Sequence, residues 1–501
     1  MRIPYQALEK ITINEIGEGI AADRFKTADL AVVLLPARPG RIRWSALPDG
    51  HRLKARLAQA QDDELLTELC DTGATRLLIA RVPVDADGFR RLERARKLLE
   101  GGLRPRDRAL LIDTRLLPES AAADWSEALV SAALARIAPL PSRKREPPPP
   151  WGLRRIDLAG AHPPALSRAR AAAQGNHIAR WLARLPGNEL TPARYRRLAE
   201  DLARREGISS RFLGEAALER LGAGAFLAVS RASERRDAGI LHLRYRPRGG
   251  GRRPALALVG KGICFDTGGV NLKSARYMHG MHEDMSGSAV ALGTLLALKR
   301  LKFPLAVDCW LALAENHIGP RAYKPNDVVH ACDRTSIEIV HTDAEGRMVL
   351  ADTLALASRS RPRLMLDFAT LTGACVQALS TRYSGALCNR AHLHRAIETA
   401  GRESGERVWP FPMDDDYDQA LESDIADIRQ CTLDSEADHI LAARFLNRFV
   451  APDTAWIHLD LSASRHKGGL AHVPTDNTGF GVGFALRLLE QDKIRRLWEA
   501  C

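Results

Sequence analysis

Several features that mark other classes of protein are missing from this sequence of 501 residues. Aromatic residues make up only 5% of it, too few for a surface that stacks nucleic-acid bases. No apolar run approaches the roughly 18 residues that cross a bilayer, and residues 1–10 lack a signal-peptide core. The eight cysteines form no CxxC pair and are scattered, as at Cys70, Cys264 and Cys501, which favours reduced thiols. We therefore expect a cytoplasmic protein with no membrane partner.

The charge balance is basic but evenly spread. Lysine and arginine total 73 against 61 aspartates and glutamates, a net charge of +12. Such an excess attracts nucleic acid, so DNA binding through a basic surface is kept as the alternative function. It is not favoured, because the arginines alternate with acids and no long basic tract is present.

The chain is too long for one average domain, and its patterns change near residue 140. Residues 1–140 alternate short apolar runs with helical patterns, which predicts a smaller α/β domain with an accessory or assembly role. Residues 141–150 combine a basic cluster with five prolines, four of them consecutive, and predict a linker, nucleic-acid contact being the less common meaning. Residues 151–501 predict a larger catalytic α/β domain with a mostly parallel sheet flanked by helices. Ligands of such sheets bind beyond the carboxyl ends of the strands.

One polar stretch in the larger domain, residues 341–352, follows the apolar run 337–340 and opens a helical pattern. It predicts a strand, a loop and a helix. Side chains two apart in extended backbone share a face, so Asp343, Glu345 and Arg347 are expected to reach one point. Acids at the start of a helix also stabilise its dipole, and the motif alone is more typical of a capped helix than of a metal site.

A second polar cluster follows the predicted strand at residues 256–259 and reaches the start of a helix predicted from residue 286. Its charged side chains are Lys261, Asp266, Lys273 and Asp284. Paired glycines at residues 268 and 269 let the backbone bend closely around a small site. Four carboxylates from the two clusters would repel each other unless protonated or bound to cations. Two divalent ions roughly 3.5–4 Å apart would remove that repulsion.

In order and spacing, these residues resemble the leucine (cytosol) aminopeptidase family of two-metal exopeptidases. The matching segments are residues 259–262, 266–269, Lys273, Asp284, 342–347 and 369–374. The resemblance covers the chain from about Asn188 to its end and the N-terminal domain only by architecture. It implies a metal-dependent aminopeptidase that removes N-terminal residues from short peptides, and a homohexamer.

The resemblance also implies that five side chains bind two divalent ions, Mn²⁺ or Zn²⁺. These are Lys261, Asp266, Asp284, Asp343 and Glu345, with Asp266 and Glu345 bridging. Lysine must be a neutral amine to bind a metal, which a neighbouring dication allows by lowering its pKa. The ordinary interpretation of Lys261 is a salt bridge to these acids.

Two further groups of residues complete the implied site. Lys273 resembles the family residue that stabilises the oxyanion, and Arg347 the one that holds a bicarbonate acting as general base. A surface arginine at a helix start is the alternative for Arg347. The residues expected to receive the substrate are Met281, Thr370 and the backbone of Leu371 and Gly373. Without the motif, Met281 would be assigned to core packing.

One residue and two longer stretches depart from the family pattern. His341 stands where asparagine is usual and is expected as a hydrogen-bonded neighbour of the metal ligands, with an extra metal ligand as the alternative. Residues 475–481 replace a stretch that usually ends in Thr-Gly-Arg-Pro, and residues 429–439 lack the glycines common before the next helix. These changes bear on specificity, and a preference for leucine is not implied.

Overall fold

The computed structural model describes residues 3–16, 22–37, 42–60, 63–69, 75–160, 166–251, 253–434 and 436–499. Two compact units divide the chain. The N-terminal unit comprises Pro4–Gln174 and Gly468–Thr475, and the C-terminal unit comprises Met1–Ile3, Gly175–Lys467 and Asp476–Cys501. Six cysteines in the described ranges are free and buried, whereas Cys70 and Cys501 lie outside the described residues. None of the described helices is long and apolar enough to cross a membrane.

The N-terminal unit is built around a six-stranded sheet. Its strands are β1 (Thr12–Glu15), β2 (Leu30–Pro36), β3 (Glu64–Glu68), β4 (Arg76–Val82), β5 (Ala109–Asp113) and β6 (Arg155–Ala159). Its helices are α1 (Ala22–Lys26), α2 (Gly50–Ala58), α3 (Gly88–Gly102), α4 (Glu119–Ile137) and the first half of α5 (Leu166–Ala183), with 3-10 helices at Tyr5–Lys10 and Trp44–Ala46. The strand order is β1-β6-β5-β2-β4-β3, and only β3 is antiparallel to its neighbour. Residues of β2 alternate between two apolar clusters, so both sheet faces are covered.

The division of the chain differs from the prediction of a domain ending at residue 140. Residues 141–150 carry no helix or strand, as their prolines predict, and most are exposed. The chain then returns to the first sheet, where β6 pairs with β1 on one side and β5 on the other. The boundary therefore lies at Gln174, and the predicted linker is a loop within the N-terminal unit.

The C-terminal unit contains the remaining elements. Its strands are β7 (Ser209–Gly214), β8 (Gly239–Tyr245), β9 (Leu256–Asp266), β10 (Val307–Asn316), β11 (Val328–His330), β12 (Ser336–Glu338), β13 (Leu364–Ala369), β14 (Ser384–Cys388), β15 (Val408–Pro410), β16 (Ile428–Arg429) and β17 (Ala455–Asp460). Its helices are the end of α5, then α6 (Pro192–Arg205), α7 (Glu215–Arg220), α8 (Gly224–Ser230), α9 (Ala275–Met278), α10 (Ser286–Arg300), α11 (Glu345–Ser358), α12 (Gly373–Leu379), α13 (His394–Ser404), α14 (Asp438–Asn447), α15 (Val482–Glu490) and α16 (Asp492–Glu499). Short 3-10 helices lie at Met281–Glu283, Ser380–Arg382, Ala391–Leu393, Asp415–Leu421 and Ser462–Ser464.

An eight-stranded sheet in the order β15-β14-β17-β13-β9-β10-β8-β7 forms the centre of this unit. The four strands from β17 to β10 are parallel, and antiparallel pairings occur toward the edges, at β14 and at β8 and β7. The helices α10 and α11 both contact the central strands β9 and β10. This arrangement confirms the predicted α/β class with a parallel-rich sheet flanked by helices.

Strand β9 is longer than predicted and contains a bulge. Its pairing with β10 passes from Ile263 opposite Ala314 to Asp266 opposite Asn316, so β9 carries one extra residue. Lys261 and Asp266 are five positions apart, and in a regular strand they would face opposite sides. The extra residue shifts the alternation and turns both side chains to the same side of the sheet.

The strand, loop and helix predicted around residues 337–356 are present, but the extended backbone expected at residues 343–347 is wrong. Strand β12 has only three residues and lies in a separate sheet with β11 and β16. The backbone then turns, and helix α11 begins at Glu345, so Glu345 and Arg347 are its first and third residues. Side chains two apart in a helix point about 200° apart, not to one side. Glu345 and Arg347 therefore meet different partners.

Helix α11 is buried along its whole length and carries two of the predicted site residues, Glu345 and Arg347. All fourteen of its residues are buried, and Asp352 fixes its position through its carboxylate. Asp352 accepts hydrogen bonds from the amides of Phe226 at 2.7 Å and Cys332 at 2.6 Å. Burial raises the pKa of Asp352 to about 7, against the opposing effect of these two amides. The carboxylate joins three separated segments of the unit.

Replacing Asp352 by alanine is expected to lower the free energy of unfolding by about 3 kcal/mol or more, because two buried amides lose their acceptor. Chemical denaturation followed by circular dichroism measures the change. Asp352→Asn keeps one carbonyl acceptor and should lose less. Equal losses in the two variants would contradict this account of the carboxylate.

Candidate metal centre

Three carboxylates lie together beyond the end of β9 and at the start of α11. Asp266, Asp343 and Glu345 each offer one oxygen within 4.8 Å of the others. Asp266 and Glu345 are buried, and Asp343 is partly exposed. A fourth acid, Asp284, is joined to them through Lys261, whose Nζ lies 2.9 Å from Asp284 Oδ2 and 2.9 Å from Glu345 Oε1. All four predicted carboxylates therefore converge, as the sequence indicated.

A second lysine lies on the other side of the cluster. Lys273 Nζ is 2.9 Å from Asp266 Oδ2 and 2.5 Å from Asp343 Oδ1. Burial lowers the pKa of Lys273, but Asp266, Glu345 and Asp343 outweigh this and hold the pKa above its ordinary value. Lys273 is therefore a charged ammonium throughout the neutral range.

The pKa of Lys261 is subject to the same opposing effects as that of Lys273, and Lys261 is more deeply buried. Burial lowers its pKa, and the carboxylates of Asp284, Glu345 and Asp266 raise it above the ordinary value. Conversely, burial raises the pKa of Asp284, and Lys261 only partly offsets this. As it stands, Lys261 makes the salt bridge that its residue type alone would predict. Binding to a metal would require that a dication displace its proton.

The carboxylate oxygens fit divalent cations. Four of them accept no well-directed hydrogen bond from the described residues: Asp284 Oδ2, Asp343 Oδ1, Glu345 Oε1 and Glu345 Oε2. Three of the four lie within 2.9 Å of a lysine ammonium and form ion pairs with it. Buried oxygens without directed donors are uncommon in proteins. They are the ligands that hard or borderline divalent ions prefer.

Neighbouring groups fix the outer oxygens of the same acids. Asp266 Oδ1 accepts hydrogen bonds from the Gly268 amide and from Asn316 Nδ2, both at 2.8 Å. Asp284 Oδ1 accepts one from Thr370 Oγ1 at 2.7 Å. Such partners orient metal ligands in other proteins. The sequence analysis missed Asn316, although its place at the carboxyl end of β10 was a usable signal.

Gly346 makes room for Lys261. A Cβ atom at Gly346 would lie 2.6 Å from both Cε and Nζ of Lys261. Real Cβ atoms do not approach other heavy atoms so closely, so any other residue at this position would shift the lysine from its observed place. The space that Lys261 needs therefore explains why the 342–347 motif has a glycine at position 346.

Arg347 lies beside the cluster, and its guanidinium has other partners. Nη1 donates to the Gln430 carbonyl at 3.2 Å, and Nη2 donates to Asp438 Oδ1 at 2.7 Å. The residue is 2% exposed, which excludes the alternative of a surface arginine. His341 Nδ1 accepts the Asp343 amide at 3.3 Å, as a histidine that supports a neighbouring residue would. Asp438 was not predicted.

The residues expected to receive substrate lie at the edge of the cluster. The Thr370 carbonyl accepts a hydrogen bond from Lys261 Nζ at 3.0 Å, and its hydroxyl is held by Asp284. The Leu371 amide donates to Asp460 at 3.1 Å, so only its carbonyl remains for a peptide. Gly373 begins α12 and has open space around its α-carbon. Met281 is partly buried in the 3-10 helix that precedes Asp284.

The fold and this cluster define an α/β protein that uses divalent metal ions. The catalytic-domain pattern of the cytosol aminopeptidase family matches residues 177–486. The chain belongs to the cytosol aminopeptidase family, which confirms the resemblance drawn from its motifs.

Several known proteins are similar to this chain. It is 40% identical over 329 residues to a probable cytosol aminopeptidase of Syntrophotalea carbinolica, an alignment that covers 66% of this chain and 65% of that relative. A probable cytosol aminopeptidase of Parasynechococcus marenigrum is 37% identical over 472 residues, covering 90% and 94% of the two chains. The match to the first relative thus spans slightly less than two thirds of its length.

Two solved structures share the architecture. The bottromycin maturation enzyme BotP, solved in complex with Mn, matches with a TM-score of 0.78 and 30% identity, covering 92% of this chain and 99% of that one. A variant of tomato leucine aminopeptidase matches with a TM-score of 0.82 and 24% identity, covering 97% of both chains. The match to the tomato enzyme, at 24% identity, shows only that the two proteins share a fold.

Proposed function

We propose that this protein is a metal-dependent aminopeptidase that hydrolyses N-terminal residues from peptides. The observation that carries the proposal is the convergence of four carboxylates and two lysines at one site of a cytosol aminopeptidase fold. Acids packed this densely need more positive charge than two lysines provide.

Two divalent ions, Mn²⁺ or Zn²⁺, would be held by one set of side chains. The set is Lys261, Asp266, Asp284, Asp343 and Glu345. Asp266 and Glu345, both buried, would be shared between the ions if the assignment implied by the family resemblance holds for this chain. The ions, when bound, would polarise the scissile carbonyl and acidify a water. The manganese bound to the similar enzyme BotP supports this choice of metal.

The chain's own residues would act on the substrate around the metals. Lys273, as a charged ammonium beside Asp266 and Asp343, would attract the oxyanion formed at the peptide carbonyl. The Leu371 carbonyl and the open α-carbon of Gly373 would receive the peptide main chain. Met281 and Thr370 would line the pocket for the first side chain. Arg347 is the second catalytic residue proposed, and its buried guanidinium, whose Nε has no hydrogen-bond partner among the described residues, would hold a bicarbonate acting as general base.

The remaining proposals concern assembly and location. We place the protein in the cytoplasm as a homohexamer acting on short peptides, with the N-terminal unit as an accessory or assembly domain. Their support is the family resemblance and the cytosol aminopeptidase names of the relatives. DNA binding, which the net charge allowed, gains no support from the fold, the site or the comparisons, and is not proposed.

Chelation provides the direct test of the function. Purified protein loaded with Mn²⁺ should release aniline from aminoacyl-anilides, lose that activity in EDTA and regain it on adding Mn²⁺ or Zn²⁺. Thermal unfolding should shift upward with metal, because ions that bind only the folded form stabilise it. Absence of turnover on a broad panel, with metal content confirmed, would refute the proposal.

A further inference from the structure

The loop between β13 and α12 is held by one buried carboxylate. Asp460, the last residue of β17, is 1% exposed and lies opposite Ala369 in the pairing with β13. Its Oδ1 accepts the Leu371 amide at 3.1 Å, and its Oδ2 accepts the Thr372 amide at 3.2 Å and the Thr372 hydroxyl at 2.6 Å. Three donors from two consecutive residues therefore converge on one side chain.

The Thr372 hydroxyl also fixes the start of helix α12. It accepts the Cys375 amide at 3.2 Å, as the N-cap of that helix. Because an amide can only donate, the proton of the hydroxyl points to Asp460. A hydroxyl with both roles filled has one orientation, so the same carboxylate sets the helix start at Gly373.

The other end of this loop contacts the metal cluster. The Thr370 hydroxyl donates to Asp284 Oδ1 at 2.7 Å, and the Thr370 carbonyl accepts a hydrogen bond from Lys261 Nζ at 3.0 Å. Residues 370–373 are thus held by proposed metal ligands at one end and by Asp460 at the other. The backbone proposed to receive the peptide lies in this segment, so its distance from the metal site depends on the Asp460 carboxylate.

A buried imidazole partly balances the charge of Asp460. Burial raises the pKa of Asp460, and His458 is the first of the groups that oppose this, followed by the donors of Thr372 and Leu371. His458 is 0% exposed, and its Nδ1 lies 2.6 Å from Asp367 Oδ1 on β13. Residues two apart in a strand share a face, so His458 is fixed on the same side of β17 as Asp460.

We propose that Asp460 is a positioning residue for substrate binding, which holds Leu371 and Thr372 so that the peptide-receiving backbone keeps a fixed distance from the metal site. The proposal rests on the aminopeptidase function proposed above. Contacts between this loop and the main chain of the substrate exist in the ground state and in the transition state alike, so loosening the loop weakens binding in both. Loss of the carboxylate therefore acts on KM more than on kcat.

Steady-state kinetics of the Mn²⁺-loaded enzyme on an aminoacyl-anilide tests this role. Asp460→Asn keeps the size of the side chain and one acceptor oxygen, but its amide nitrogen would face the donors of Leu371 or Thr372. This variant should raise KM roughly tenfold, with a smaller change in kcat and the same metal content. Asp427→Asn is the matched control, since Asp427 accepts the Ser336 amide at 2.8 Å and the Ser336 hydroxyl at 2.6 Å at the start of β12. The control should keep the KM of the unaltered enzyme.

A second variant shows whether the effect passes through this contact. Thr372→Val removes the hydroxyl at nearly constant size, leaves the carboxylate in place and should also raise KM. Because both changes break the same hydrogen bond, Asp460→Asn should add little to KM in the double variant. The proposal would be overturned by additive effects, by an unchanged KM in either folded variant, or by a lower turnover that only follows a loss of metal.

Hydrogen exchange measured by mass spectrometry separates this proposal from the proposed function. In Asp460→Asn, the amides of residues 370–376 should exchange faster than in the unaltered enzyme, and those of other segments should not. Unchanged exchange in this segment would show that Asp460 does not hold the loop. Faster exchange there, in a metal-loaded protein that cleaves no peptide, would support the hold of Asp460 on the loop and reject the aminopeptidase function alone.

Discussion

Replacing Glu345 by glutamine is expected to lower kcat by more than about a hundredfold and to reduce the metal content of the purified enzyme, since even outer partners of metal ligands contribute roughly 10–100-fold. Glu345 is 1% exposed, and neither carboxylate oxygen has a directed donor in the described part of the chain. Glutamine keeps the size of the side chain but replaces one of these oxygens with an amide nitrogen, which cannot bind a cation. Turnover of an aminoacyl-anilide and elemental analysis of metal per chain measure the two effects.

Glu338→Gln is a suitable control for this change. Glu338 is a partly buried glutamate on β12 that accepts hydrogen bonds from Ser423 and Arg429, away from the cluster. Its variant should keep both turnover and metal. Full metal content together with full kcat in Glu345→Gln would remove Glu345 from the proposed ligand set.

Replacing Lys273 by methionine is expected to lower kcat by about 100- to 1,000-fold, the usual effect of removing one oxyanion donor. The acids around Lys273 raise its pKa against the effect of burial, so its positive charge is present at neutral pH. Methionine keeps the length and the apolar stem of the side chain. The metal content should be retained and KM should change less than kcat, because the ammonium would act mainly in the transition state.

Metal analysis decides between two explanations of a lower kcat in Lys273→Met. A fall in turnover that only parallels a loss of metal would mean that Lys273 organises the acids and does not stabilise the oxyanion. Lys324→Met, which removes an exposed ammonium 3.0 Å from Asp327, should leave kcat and metal unchanged.

Local sequence signals predicted much of the C-terminal unit because local chemistry decides those elements. Thr191 caps α6 by accepting the Arg194 amide, and Pro192 follows as the first helical residue, as their types indicated. The motifs also predicted that Asp266 and Asp284 converge with Glu345, although the strand before Glu345 lies in the small three-stranded sheet and not in the central one. The resemblance to the aminopeptidase family added the residue roles.

Other features depend on pairings that no short stretch of sequence specifies. The bulge in β9 is visible only against its partner β10. The contact between Arg347 and Asp438 joins residues 91 positions apart. The return of β6 to the first sheet was missed because the proline segment at residues 141–150 gave a strong local signal for a boundary. In each case tertiary pairing, not propensity, determined the outcome.

The extra residue of β9 shows that belonging to the family and being able to form the metal site are different properties. A strand with the same residues and no bulge would still contain every signature letter of the family. Its lysine and its aspartate would point to opposite sides of the sheet, and no ion could be shared between them. Membership of the family therefore depends on which residues are present, while the ability to share an ion between these two side chains also depends on how β9 pairs with β10.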